Sequence, residues 1–328
     1  MRKKFNSILK FIFRFGLSAV LILFLFRKVD LGQVFGLMKN ADLHYLSLAA
    51  LIFLLCNFLL LIRWDVIIKG LDVHIPFSHV AKSFFIGLFF NLFLPSSTGG
   101  DVARSINLFS HTSHKARAVT SVVLDRLSGF IALILICAVS LILGYKYVND
   151  SSVFLIVAVF LFVLAGLILV LFSRSIFLKL SGLFSRTPHI AKKLMSLSDA
   201  FILFRHRYGV IAFSIIISAI SQMLFFLMSY YIVKSFHVEV GVIYFFILIP
   251  IISFITSLPI SLGGLGVRDA TSVYFFTKIG VKSSTALGLS LMNFVFLAGI
   301  GLIGGIVYVL TLSPRRLQHR QTSSQPQK

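Results

Sequence analysis

The chain has 328 residues, is 58% hydrophobic with a mean hydropathy of +0.99, and is only 12% charged, which excludes a soluble globular domain. Its net charge of +21 could in isolation suit nucleic acid. The basic residues, however, sit mostly in short loops beside hydrophobic runs, where they orient a membrane protein and meet anionic lipid, so nucleic acid is not expected as a partner.

Apolar runs near 20 residues match a hydrocarbon core of about 30 Å. In chain order they are about Phe11–Phe26, Leu43–Ile62, Ser83–Pro95, Val119–Leu143, Ser152–Phe172, Val210–Val233, Val242–Pro259 and Ser284–Leu310. The N-terminal "MRKKFNSILKFIFRFGLSAVLILFLF" starts like a signal peptide but has no A-x-A-like cleavage site, so it reads as a retained span. Cys56 and Cys137 lie inside apolar runs and read as buried free thiols. Trp64, beside Arg63, reads as an interface anchor at the end of its span. Two segments differ from the rest. Ser83–Pro95 has 13 residues, too few to cross, and Val242–Pro259 contains Pro250, which should interrupt it. Both end in Leu-Pro with a glycine pair just beyond.

If both short segments enter the membrane and return on the same side, 22 of the 31 Lys and Arg fall on one side, 8 on the other, and Arg126 remains at the membrane edge. The positive-inside rule then gives six full transmembrane helices, two re-entrant or broken hairpins, and both termini in the cytoplasm of a cell-membrane protein. A fully spanning Ser83–Pro95 would put the seven basic residues of Arg174–Arg207 outside. Within the polar connection 173–208, Ile190, Leu194, Leu197, Phe201 and Phe204 recur at helical spacing, suggesting a surface amphipathic helix.

"LPSSTGGDVAR" (Leu94–Arg104) recurs as "LPISLGGLGVR" (Leu258–Arg268), with Pro, Gly-Gly and Arg at fixed spacing and an offset of 164 residues. The chain reads as one all-α membrane domain over 1–328. Its repeat halves, about 1–172 and 209–310, join through 173–208, and a disordered tail covers 313–328. Because the charge-derived topology opens the first hairpin inward and the second outward, the repeats are expected to be inverted, as in transporters.

Chemically, Pro95 and Pro259 are helix breakers, and Thr98-x-x-Asp101 has capping-box spacing for a helix starting near Gly99. A helix N-terminus with Gly99 and Gly100, and Arg104 about a turn further on, suits a phosphate. The candidate headgroup-binding set is Asn91, Ser97, Thr98, Gly99, Gly100, Asp101, Arg104, Asp125, Arg126, Ser261, Gly263, Gly264, Arg268 and Asp269. The same residues also admit a structural role: glycines for tight packing, an Asp101–Arg104 ion pair, and Asn91 bonding the broken backbone. Asp125 and Arg126 should pair or face a cavity, since a charge at the bilayer centre costs at least about 2.5 kcal/mol. Asn293 holds the comparable place after the second motif. No metal is expected: His111 and His114 lie in a basic loop without zinc-site spacing. No nucleotide or dinucleotide fingerprint is present, and no cofactor is expected.

On "NLFLPSSTGGDVAR", "SLPISLGGLGVRDA" and "AVTSVVLDRLSGF", the chain resembles the flippase-like family that includes the transmembrane region of lysylphosphatidylglycerol synthase, the multiple peptide resistance factor. The positions matching that pattern are Pro95, Gly99, Gly100, Asp101, Arg104, Asp125, Arg126, Pro259, Gly263, Gly264, Arg268 and Asp269. The resemblance implies a polytopic protein that translocates lipid or supports lipid or glycolipid synthesis. The soluble aminoacyl-transferase domain of the full-length synthase has no counterpart after "SPRRLQHRQTSSQPQK", so lysyl transfer by this chain is not expected. The leading reading is a flippase-like transporter of a phosphate-bearing lipid, whether an anionic phospholipid, a lysylphosphatidylglycerol-type lipid or a polyprenyl-phosphate sugar. Alternatives are a membrane-embedded transferase and an accessory partner of a lipid-modifying synthase or glycosyltransferase.

Overall fold

A computed structural model describes residues 29–93, 99–143, 202–204, 206–257, 264 and 266–322, with four isolated positions elsewhere. The expected spans Phe11–Phe26 and Ser152–Phe172 and most of the surface helix before Phe204 lie outside these residues. All regular structure among the described residues is helical. The helices are α1 (Leu31–Lys39), α2 (Leu43–Gly70), α3 (Phe77–Phe93), α4 (Gly99–Phe109), α5 (Lys115–Leu143), α6 (Tyr208–Ser235), α7 (Val242–Ser257), α8 (Val267–Lys278) and α9 (Ser283–Thr322).

Four of them, Leu43–Gly70, Lys115–Ser140, Tyr208–Ser235 and Ser283–Thr311, are long and apolar enough to cross a membrane, while Phe77–Leu92 and Val242–Ser257 are apolar but shorter. Their outward faces carry Leu51, Leu54 and Phe58 on α2, Ile216 and Ile220 on α6, and Leu302 and Ile306 on α9, all exposed. Lipid tails solvate such surfaces, so exposed leucines here are the expected outcome. This is a membrane-embedded, multi-pass protein.

α2 and α6 form the central pair and run antiparallel. Asp42 donates its backbone N–H to Ser235 (2.8 Å), Tyr45 stacks on Tyr231 (6.3 Å), the Cys56 thiol donates to the Ser221 carbonyl (3.4 Å), and Gly70 lies against Val210. The elements of the two parts of the chain also correspond in order, and the first three of each part closely in length. Helices α2 to α5 have 28, 17, 11 and 29 residues, and α6 to α9 have 28, 16, 12 and 40. The only two described non-glycine residues with positive φ, Asp72 (54°) and His237 (57°), stand just after α2 and α6 respectively. Each short hairpin packs on the long helix of the other part: Phe85 and Phe89 of α3 against Gly304 and Gly305 of α9, and Phe246 of α7 against Ser140 of α5.

Three sequence expectations change. α2 does not end near Ile62 but continues to Gly70, taking Arg63 and Trp64 into the interior, with Trp64 fully buried rather than at the interface. α9 continues to Thr322, past the expected start of the tail at 313. α7 runs unbroken through Pro250. Proline there cannot donate to the carbonyl four residues back, Phe246, and that carbonyl accepts instead from the Ser140 hydroxyl at 2.8 Å. Cys56 and Cys137 are buried and unbridged.

Candidate functional site

α3 and α4 form a tight antiparallel hairpin. His79 packs on His111 (4.3 Å between ring centroids), Ser83 donates to Asn107 (3.0 Å), and the Gly100 N–H donates to the Asn91 side-chain oxygen (3.0 Å). A Cβ on Gly100 would overlap the Gly87 carbonyl and the Asn91 amide, so only glycine permits this approach. Asn91 thus satisfies one of the orphan donors at the start of α4. The break itself, with Pro95, Ser97 and Thr98, lies outside the described residues, as do Pro259, Ser261 and Gly263 of the second motif.

The hairpin presses α4 onto α5 and α2, and the contact is charged. Asp125, buried, accepts from Arg63 Nε (2.8 Å) and from Arg104 Nη2 (2.9 Å). Asp101 pairs with Arg104 (3.0 Å) and with Arg126 through Nε (2.8 Å) and Nη2 (3.2 Å). Arg63 reaches on to the Ser218 hydroxyl of α6 at 2.7 Å. Arg104 also lies over the Trp64 ring (4.7 Å), and Trp64 donates to Ser121 (3.2 Å). Among the described residues the unit holds three arginines against two aspartates, an excess of one positive charge. Arg63 is seven residues from Cys56, about 10 Å along the helix axis. Desolvated charges are tolerable there only because each is paired and hydrogen-bonded.

One side of the cluster is open. A groove of about 490 Å³ runs between α4 and α5, walled by Val102, Ile106, Phe109, Val122 and Phe130, with Asp101 and Arg126 at its polar part. The Arg126 side chain is 45% exposed, whereas those of Arg63 and Arg104 are 8% and 7%. Of the three cations, Arg126 is therefore the one a ligand in the groove can reach.

The second motif is built differently. Gly264 and Gly266 have φ of +82° and +77°, a region L-residues rarely adopt. Asp269 accepts the Gly266 N–H (3.0 Å), capping α8. Arg268 donates through Nε to Ser290 (2.9 Å), which in turn bonds Asp269. Ser290 here receives the arginine as Asp125 does in the first motif, and Met228, twenty residues into α6, stands where Arg63 stands in α2. Arg63 and Asp125 thus have neutral counterparts in Met228 and Ser290, while the second motif keeps one ion pair, Arg268 with Asp269 at 3.6 Å. Asn293 is half-buried; its side-chain oxygen is buried and has no hydrogen-bond partner within the described residues.

The structure thus brings together Asn91, Gly99, Gly100, Asp101, Arg104, Asp125 and Arg126 on one side, and Gly264, Arg268 and Asp269 on the other. Arg63 and Trp64 went unrecognised as site residues. An Arg-Trp-Asp run after 20 apolar residues resembles a helix end, and only register with the second half, where Met228 is buried in mid-helix, would have signalled an interior position. Among the described residues no group of three His, Cys, Asp or Glu could hold a metal.

The two glycine motifs thus place four charges, Asp101, Arg104, Arg268 and Asp269, on two helical hairpins among long apolar helices. The chain belongs to the family of the lysylphosphatidylglycerol synthase transmembrane region, which it matches over residues 11–320. It is also similar to the UPF0104 membrane protein PH1989 of Pyrococcus horikoshii, with 21% identity over 328 residues covering 92% of this chain and 96% of that one.

Proposed function

We propose that this protein moves a phosphate-bearing lipid across the membrane by alternating access between two inverted halves. The observation that carries the reading is the groove between α4 and α5: apolar walls suited to an acyl chain, ending at Arg126 on a cluster with one excess positive charge. An anionic headgroup would compensate that excess without leaving a buried cation unpaired. The antiparallel packing of α2 on α6 supports the inversion, because these helices hold the same place in the two halves. Exchanging the conformations of such halves opens the site to one side and then to the other.

In this reading α3–α4 and α7–α8 are re-entrant hairpins, the end of the bundle bearing Lys69, Lys115, Arg117 and Arg207 faces the cytoplasm of the cell membrane, and both termini lie on that side. No nucleotide motif is present, so the membrane potential or an ion gradient supplies the driving force. With the inside negative, outward movement of one net negative charge gains about 2.3 kcal/mol per 100 mV, which favours export of anionic lipids, phospholipid or polyprenyl-phosphate-linked sugar.

The test is reconstitution in liposomes with a headgroup-labelled anionic lipid and an imposed potential. The label should become accessible to an external quencher faster than in empty vesicles, and Arg126→Gln should abolish the gain. Equal rates with and without protein would refute translocation.

A further inference from the structure

At the opposite end of the bundle from the charged cluster lies a second cavity, of about 640 Å³, between the C-terminal part of α1, the α6–α7 loop and the start of α9. Its existence follows from a difference between two otherwise matching corners. After α2, Leu71 caps the helix and Asp72 takes positive φ; after α6, Phe236 caps and His237 does the same. In the first corner Arg117, the third residue of α5, reaches across and donates to the carbonyls of Leu71 (3.1 Å) and Asp72 (3.4 Å), while Asp72 pairs with Arg207 at 2.7 Å. That corner is bridged by its own side chains. In the second corner the third residue of α9 is Thr285, too short to cross, and the space it leaves is the cavity.

The cavity lining includes Gln33, Asn40, Glu239, Tyr244, Lys282 and Thr285. The side chains of Gln33, Asn40, Glu239 and Lys282 make no hydrogen bond or ion pair within the described residues. Two amides donate and accept at once, a carboxylate accepts, an ammonium donates, and a tyrosine ring offers a flat apolar face. One acid and one base leave the lining without net charge, in contrast to the cationic groove at the other end. A volume of this size falls in the range of small-molecule sites.

We propose that this cavity binds an uncharged, hydroxyl-rich group, a saccharide, whose hydroxyls match groups that donate and accept and whose ring face stacks on Tyr244. The chemistry is shared by a glycolipid headgroup and a free sugar. The site is separate from the α4–α5 groove and does not require transport.

The experiment uses the full chain with Asn40→Cys in phosphatidylcholine nanodiscs, labelled with a polar maleimide; a control without the added cysteine checks that buried Cys56 and Cys137 stay silent. Diglucosyl diacylglycerol in the disc and free maltose in solution form the two arms. A saccharide present at four times its dissociation constant should slow labelling about five-fold, because only the unoccupied fraction reacts. Slowing by the glycolipid alone identifies a lipid headgroup, slowing by maltose alone a soluble sugar, and slowing by both the shared chemistry. Glu239→Gln with Tyr244→Ala should remove the protection. Unchanged labelling in both arms, or equal slowing by phosphatidylethanolamine, overturns the proposal. The readout is independent of lipid movement: protection in a protein that fails the liposome assay leaves this site standing.

Discussion

Asp125 accepts hydrogen bonds from two arginines of different helices, Arg63 of α2 at 2.8 Å and Arg104 of α4 at 2.9 Å. It thereby fastens the α3–α4 hairpin to a central helix by charge. Asp125→Asn leaves two buried guanidiniums short of a counter-charge and should destabilise the protein by about 3–5 kcal/mol, measured by thermal unfolding in detergent. The double variant Arg63→Met with Asp125→Ser copies Met228, at the place of Arg63 in α6, and Ser290, which receives the arginine of the second motif. It removes one cation and one anion together, so it should recover most of that loss. A double variant no more stable than Asp125→Asn would show that the pair is held by more than charge balance.

Ser140 closes a gap that Pro250 opens. With Ser140→Ala the Phe246 carbonyl, four residues before the proline, loses its donor, and the expected cost is about 1–3 kcal/mol. Pro250→Ala in the Ser140→Ala background restores an intrahelical N–H for that carbonyl. Thermal stability of the double variant above that of Ser140→Ala alone confirms the link; additive losses refute it.

Gly100 packs directly on Gly87 and Asn91 of α3. Gly100→Ala places a methyl group on the Gly87 carbonyl, which backbone cannot avoid by a rotamer change. The hairpin must spread, loosening Asp101 and Arg104 with it. We expect loss of the Arg126-dependent lipid movement at retained expression, read by size-exclusion profile and liposome assay in parallel. Wild-type movement in this variant would separate hairpin packing from function.

The antiparallel α2–α6 pair fixes which loops share a side. Ser113→Cys, after α4, and Glu239→Cys, after α6, should react with an impermeant thiol reagent from opposite faces of a sealed vesicle, with Ser113 on the cytoplasmic face. Reaction of both from one face would contradict the inverted arrangement.

Much of this was legible in the residues themselves. Runs of about 20 apolar residues define long membrane helices because the bilayer offers no partners for free backbone groups, and the matched Leu-Pro and Gly-Gly-x-x-x-Arg signals mark two hairpins at a fixed offset. Family membership followed from those same motifs. The Asp101–Arg104 ion pair and the bond from Asn91 to the Gly100 backbone were foreseeable as local, short-range contacts.

What only the tertiary structure decided are the contacts between distant segments. Arg63 looked like the end of a span, yet α2 continues through it because Asp125 and Ser218, 62 and 155 residues away, satisfy its guanidinium. Pro250 looked like a break, yet α7 continues because Ser140 of another helix supplies the missing donor. In each case the local rule concerns an unsatisfied polar group. Whether that group ends a helix depends on partners that folding alone brings within hydrogen-bond reach. Composition and periodicity settled that the chain lies in the membrane; packing settled which of its polar groups could stay there.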